Sequence, residues 1–279
     1  MNELNTDPSL TQLKTQHGEG TRGIERVVRL LRVLTLRPNA GWTLSALAET
    51  AGLKKTTAHR MLKKLEAEGL VHRRAVDQRY VFGAFMLESS FSVTGFHPFI
   101  AACHAALDKL ANHTGAAALL SFRSGPDFVV ALRIGKIKGS GVLAECGARR
   151  PLISATPGMA ILLGLPEQLQ NDIMQHSLEA MPIRSTRESD EIKRRWHRSR
   201  ELGYAASYGE TVPRVNTLAV PLRLPGGQAF ASITLVNIPG RFDNARVDQI
   251  VGLLGKESTK IMNDADSYHF LEIYQEEAC

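Results

Sequence analysis

Residues Leu44–Gly69 read LSALAETAGLKKTTAHRMLKKLEAEG. Leu44, Leu47, Ala48 and Ala51 recur at helical spacing and make one apolar face. Gly52 follows at the point where a left-handed residue closes a helix. A second helix turns Ala58, Met61, Leu62 and Leu65 inward. That leaves Lys54, Lys55, Thr56, Thr57, His59, Arg60 and Lys63 outside. Amines, hydroxyls and a guanidinium at the leading end of a helix can enter the major groove of DNA. The competing reading is a solvated amphipathic helix in an all-α domain, and the charge distribution argues against it.

Residues 1–83 hold 14 Lys and Arg against 8 Asp and Glu, and residues 84–279 hold 20 against 20. The net charge of +6 therefore lies in the first third, the footprint of a module that binds a polyanion. A hydrophobic content of 43% is ample for a core and excludes a disordered chain. No run reaches the ~20 apolar residues a membrane helix needs. Residues 1–20 are polar, lack the apolar core of a signal peptide and are expected to form a flexible tail. The three cysteines are widely spaced and odd in number, which points to a reducing, cytoplasmic setting. With no CxxC or HExxH, neither a metal nor another cofactor is expected.

Working outward, Arg22–Leu36 is expected to be a helix with Ile24, Val27, Val28, Leu31 and Leu34 as its apolar stripe. It should stop before Pro38. Thr43 is placed to cap the next helix. After Gly69, Leu70–Arg73 and Arg79–Phe82 read as two strands around a turn near Val76–Gln78. The sum is a winged helix-turn-helix over residues 21–83. Its wing arginines Arg73, Arg74 and Arg79 would contact phosphates, which strengthen binding without reading sequence. Arg22 and Thr43 complete the candidate DNA contacts.

Ala84–Gly95 is a short amphipathic joint. Pro98 opens an Ala-rich helix that Gly115 ends, and Ala116–Phe122 and Phe128–Ile134 read as strands about Gly125-Pro126-Asp127. A helix over Glu188–Leu202 has Ser185 at capping-box spacing. Its KRRWHRSR run is expected to be solvated. Asn216–Leu222 and Ala229–Asn237 are further strands, and a last helix covers about Asn244–Met262. Strands interleaved with helices imply a curved sheet flanked by helices, so the class is α+β.

The run RGIERVVRLLRVL…LSALAETAGLKKTTAHRMLKKLEAEGLVHRR…QRYVFG resembles the DNA-binding domain of the IclR family of bacterial transcriptional regulators. Gly52, Leu53, Thr56, Thr57, His59, Arg60 and Leu62 match the family pattern in order. CGARRPLISATPGMAILLGLP and ELGYAASYGETVPRVNTLAVPLRLPGGQAFASITLVNIPGRF resemble two segments of its effector domain. The resemblance implies a linker helix over 84–95 and a GAF-like effector-binding domain over 96–279. It also implies a regulator that binds double-stranded operator DNA as a homodimer or homotetramer and responds to a small ligand.

In the family the two segments line the effector pocket, which nominates Thr156, Pro157, Gly158, Ser207, Thr217 and Thr234. Family members often carry acids where this chain has Ala205, Ala206 and Ser207, and Cys where it has Thr217. Losing an acid and gaining hydroxyls suits a neutral or anionic ligand. Free N–H groups where Ser154–Gly158 enters a helix favour a carboxylate, although Pro157 removes one donor. Ala205 and Ala206 lean towards an aromatic one, serving a catabolic operon. Arg133 is the next candidate.

Two other functions compete. A hydrolase-like enzyme fused to a DNA-binding head lacks support, because no GxSxG, phosphate loop or dinucleotide fingerprint is present. Cys146 beside Gly147 is its one candidate nucleophile. An architectural DNA binder without ligand is disfavoured by the size of the neutral second part.

Overall fold

The computed structural model describes residues 21–136, 145–181, 186–238, 240 and 243–276. The expected tail (1–20) and the Ser185 cap lie outside them. The chain divides into two compact units between Ser92 and Val93, inside the 84–95 segment.

The first unit contains α1 (Arg22–Thr35), α2 (Leu44–Thr50), α3 (Lys55–Ala67), β1 (Val71–Arg73), β2 (Tyr80–Phe82) and α4 (Ala84–Phe91). The Thr43 hydroxyl accepts from the Ala46 amide at 3.3 Å, so α2 starts where its cap predicts. Gly52, at φ +63°, turns the chain from α2 into α3. β1 and β2 pair antiparallel, and Trp42 exchanges both backbone hydrogen bonds with Tyr80, at 3.0 and 2.8 Å. Leu30, Val33, Leu34, Leu47, Ala48, Ala58, Leu62, Leu65 and Tyr80 close a small core beneath this frame.

The expected stripe of α1 needs correction. Leu34 is buried, but Ile24 is 65% exposed and Val28 39%, while Leu30 and Val33 take the core positions. Two apolar rows share this helix, and α2 and β2 cover only the one on its last two turns. α4 has no buried residue at all.

The second unit is built on a six-stranded antiparallel sheet of order β5-β4-β3-β8-β7-β6. The strands are β3 (Ala117–Ser124), β4 (Asp127–Ile134), β5 (Arg149–Pro151), β6 (Ala205–Tyr208), β7 (Asn216–Arg223) and β8 (Ala229–Val236). The helices are α5 (Phe96–Thr114), α6 (Thr156–Leu163), α7 (Glu167–Ala180), α8 (Thr186–Leu202), α9 (Asn244–Met262) and α10 (Glu272–Glu276). α5 begins at Phe96 rather than Pro98, which the proline tolerates because first-turn N–H groups have no intrahelical partner.

Strand alternation sorts the side chains into two cores. Ala118, Leu120, Leu218, Val220, Ile233 and Leu235 meet α5 and α9. Leu119, Val130, Ala205 and Ala219 lie on the other face, with α6, α7 and α8. α6 is buried from Thr156 to Leu162, as its nearly unbroken apolar sequence requires.

Three features go beyond the sequence reading. α7 and the edge strands β5 and β6 are additional elements. The chain after α9 also folds back on the sheet, where Tyr268 and Phe270 each bring a ring centroid to 5.2 Å from that of Phe99. The expectation of a solvated KRRWHRSR run is overturned in part. Lys193, Arg194, His197 and Arg200 are exposed, but Arg195, Trp196 and Ser199 are buried with Ile192.

Candidate functional site

In the first unit α3 presents Lys54, Lys55, Thr56, Arg60 and Lys63 to solvent, with Thr57 and His59 half-buried at its base. Arg22 and Thr43 are exposed as well, although the Thr43 hydroxyl is occupied as a helix cap. Ala58, Leu62 and Leu65 hold the other side of α3 in the core, so its polar side faces outward without distortion.

The three wing arginines have different partners. Arg73 is exposed, lies over the Tyr80 ring at 5.5 Å and donates from Nε to the Gln78 carbonyl at 3.3 Å. Arg74, half-buried, is committed to partners within the unit. Its Nη1 donates to the Asn39 carbonyl at 3.0 Å, its Nη2 to the Ala40 carbonyl at 2.7 Å, and its Nε to Asp77 at 3.1 Å. Arg79 donates to the Gly41 carbonyl at 3.3 Å and pairs with Asp77 at 3.7 Å. Arg74 and Arg79 thus fasten the wing to the 39–41 loop, a role that a basic run does not disclose in sequence.

In the second unit the register gathers three of the six nominated effector residues on the α6 face. Ser207 lies opposite Thr217 across β6 and β7. Thr234 lies opposite Ala219 on β7 and Leu119 on β3, which points it to the same face. Thr156, Ser207, Thr217 and Thr234 are all buried. The Thr234 hydroxyl meets no hydrogen-bond partner there, nor do those of Ser121 and Ser232, which face each other across β3 and β8.

Pro157 and Gly158 are buried in the first turn of α6. A Cβ on Gly158 would stand 2.2 Å from the Leu152 carbonyl oxygen, so glycine is needed for α6 to pack on the turn before it. Arg133 is exposed on β4.

The expected loss of an acid near Ser207 is compensated from further along the chain. Glu210 accepts from the Ser207 hydroxyl at 3.1 Å and from the Tyr208 amide, and its other oxygen pairs with Arg198 at 2.8 Å. The Thr211 amide in turn donates to the Ser207 oxygen at 3.3 Å. Ser207 therefore spends its hydroxyl proton on Glu210.

Arg195 is the residue that sequence reasoning passed over. It is 4% exposed and reaches across the face to two segments at once. Nη2 donates to the Ile153 carbonyl at 3.4 Å and Nη1 to the Thr211 hydroxyl, while Nε is buried without an acceptor. Burial pulls its pKa below the ordinary arginine value, against the opposing fields of Glu191 and Glu210. The spacing Ile192, Arg195, Trp196, Ser199 is the inner face of a helix, a signal present in the sequence.

Cys146 is exposed in the turn before β5, and burial pushes the Cys103 thiol up to about 12. Among the described residues no group of three or more His, Cys, Asp or Glu could hold a metal ion. No helix among them is long and apolar enough to cross a membrane.

A basic helix-turn-helix with a wing, followed by a separate α/β unit with buried polar groups on one sheet face, defines a DNA-binding regulator with a ligand-binding domain. Residues 23–75 match the IclR helix-turn-helix domain, and residues 91–263 match the family described as bacterial transcriptional regulator IclR C-terminal. The chain belongs to the IclR family of ligand-responsive, DNA-binding transcriptional regulators. It is 28% identical over 201 residues to a glycerol operon regulatory protein of Streptomyces griseus, covering 72% of this chain and 78% of the relative. An IclR transcriptional regulator from Alicyclobacillus acidocaldarius superposes with a TM-score of 0.68 at 25% identity, over 86% of this chain and 96% of that one. An IclR homolog from Microbacterium hydrocarbonoxydans, crystallised with 4-hydroxybenzoate, shares the fold with a TM-score of 0.68 at 18% identity, over 87% and 98% of the two chains.

Proposed function

We propose that the chain controls a catabolic operon by binding a small carboxylate on the α6 face of its second unit. The observation that carries this reading is the set of buried polar groups there. Thr156 and Thr217 flank the entry to α6 and the β6–β7 pair, and the Thr234 hydroxyl lacks a partner. Burying a hydroxyl without a hydrogen bond is costly, and such groups are kept where a ligand uses them. Ala155, the N-cap of α6, gives the helix no side-chain cap, so an anion there would meet the Thr156 and Gly158 amides, Pro157 having none.

The operator is bound by a homodimer on this reading. Ile24 and Val28 on α1 and Phe85, Met86, Leu87 and Phe91 on α4 are exposed, with Leu87 at 63% and Phe91 at 64%. Apolar residues concentrated on two helices of a small unit are typical of an association surface. Two copies of α3 would then address two half-sites of a roughly palindromic operator.

Calorimetry with a panel of carboxylic metabolites, paired with mobility-shift titrations, tests the proposal. The expected result is a carboxylate that gives heat and also changes operator affinity. The double variant Thr156→Val, Thr217→Val should weaken that ligand by about 1–3 kcal/mol while sparing DNA binding in its absence. Ligand binding with no effect on DNA, or DNA binding with no responsive carboxylate, overturns the reading.

A further inference from the structure

We infer that Arg195 is the cation that holds the effector's carboxylate, between the turn leading into α6 and the loop that follows β6. The inference rests on the proposed carboxylate effector and specifies how the site would recognise it.

A guanidinium stays charged in a protein, and a buried charge is tolerated where an opposite charge or a full set of hydrogen bonds meets it. The partners of Arg195 are neutral, a threonine hydroxyl and a backbone carbonyl. Two carboxylates act on it from a distance, and both are occupied by other arginines. Glu191 accepts from Arg194 at 2.7 Å. Glu210 accepts from Arg198 at 2.8 Å, and also from Ser207 and the Tyr208 amide. Arg198, the other cation acting on Arg195, is thereby paired. Both glutamates are thus hydrogen-bonded to other arginines, and Arg195 itself donates only to neutral groups.

Its position joins the two segments that the effector reading requires. The Ile153 carbonyl lies three residues before Thr156, the first residue of α6. Thr211 bonds through its amide to Ser207, which faces Thr217. With Nη1 and Nη2 each giving one hydrogen to these anchors, three of the five guanidinium N–H groups, including the buried Nε, remain for an acceptor. A planar fork held in this way suits the two oxygens of a carboxylate.

The test uses the full chain and two matched probe pairs, pyruvate with pyruvamide and benzoate with benzamide. Each acid and its amide are close in shape and differ in charge. In the parent, at least one acid should bind roughly tenfold or more tightly than its amide, the size of a charge-assisted hydrogen bond. Arg195→Gln should abolish that preference. Arg195→Lys, which keeps the charge and loses the fork, should retain the preference with weaker binding. Circular dichroism and thermal melting establish that each variant folds, and the lysine variant carries the test if the glutamine variant does not. An acid that alters operator binding but is held equally well by parent and Arg195→Gln overturns the role of Arg195 and leaves the carboxylate reading standing. If no acid of the carboxylate panel, these two included, is preferred to its amide, the inference and the carboxylate reading both fall.

Discussion

The Ser207 hydroxyl donates to the Glu210 carboxylate at 3.1 Å, closing the chain on itself directly after β6. An acid missing from β6 is thus returned to its edge by the following turn, with its charge balanced by Arg198. The arrangement has a pH signature. Burial alone would raise the Glu210 pKa, but hydrogen bonds from Arg198 and from backbone amides, with the Arg198 charge, bring it below the ordinary 4.5. A lowered folded-state pKa contributes stability above the ordinary value, and that stability is lost as the pH falls through the lowered one. Melting temperature should therefore drop on acidification below 4.5, and Glu210→Gln should remove part of that drop. An acid-induced drop of full size in the variant would show that Glu210 is not coupled to folding.

Arg60 tests the DNA-binding face. It is exposed on α3, so Arg60→Ala should leave thermal stability within about 0.5 kcal/mol of the parent. A lost bidentate guanine contact should weaken binding to a selected operator duplex by about 1–3 kcal/mol. If the loss is equal on all sequences and the salt dependence flattens, the contact is to phosphate. Unchanged mobility shifts would remove Arg60 from the interface.

Arg74 should behave differently from Arg73. Arg74 is tied to Asn39, Ala40 and Asp77, so Arg74→Ala should destabilise the first unit by about 1–3 kcal/mol and weaken DNA binding through the wing. Arg73→Ala should melt close to the parent. Equal melting of the two variants would refute the fastening role.

Gly158→Ala places a methyl group 2.2 Å from the Leu152 carbonyl, against backbone rather than a movable side chain. The second unit should lose at least about 1–3 kcal/mol, the usual cost of overpacking. Parent-like melting would mean that the turn before α6 yields more easily than its packing indicates.

Thr234→Val removes a buried hydroxyl that has no partner. Without ligand, stability should rise by about 1 kcal/mol, because a desolvated polar group is deleted. Effector affinity should fall in the same variant. A gain in stability without loss of affinity would place the ligand away from β8.

The DNA-binding unit was largely legible because its determinants are local. Gly52 must take a positive φ, Thr43 must cap, and the alternation of Ala58, Leu62 and Leu65 with exposed cations follows from helix geometry alone. Along α1 the same periodicity misled, since Ile24 and Leu30 are equally apolar and only packing against α2 and β2 decides which is buried. The α/β character of the second unit was also legible, as were β3, β4, β7, β8 and α9.

Tertiary structure alone decided strand order, register and the partners of each charge. The register that sets Ser207 opposite Thr217 and Thr234 opposite Ala219 also brings in Leu119, from a strand far away in sequence. Arg74 and Arg195 make the same point from opposite ends. Both stand in basic runs that read as solvated or phosphate-binding, yet one is drawn onto the carbonyls of the 39–41 loop and the other onto the Ile153 carbonyl and the Thr211 hydroxyl. Composition records that a charge exists, but its burial and its partner are set by what folds over it, which no short stretch of sequence contains.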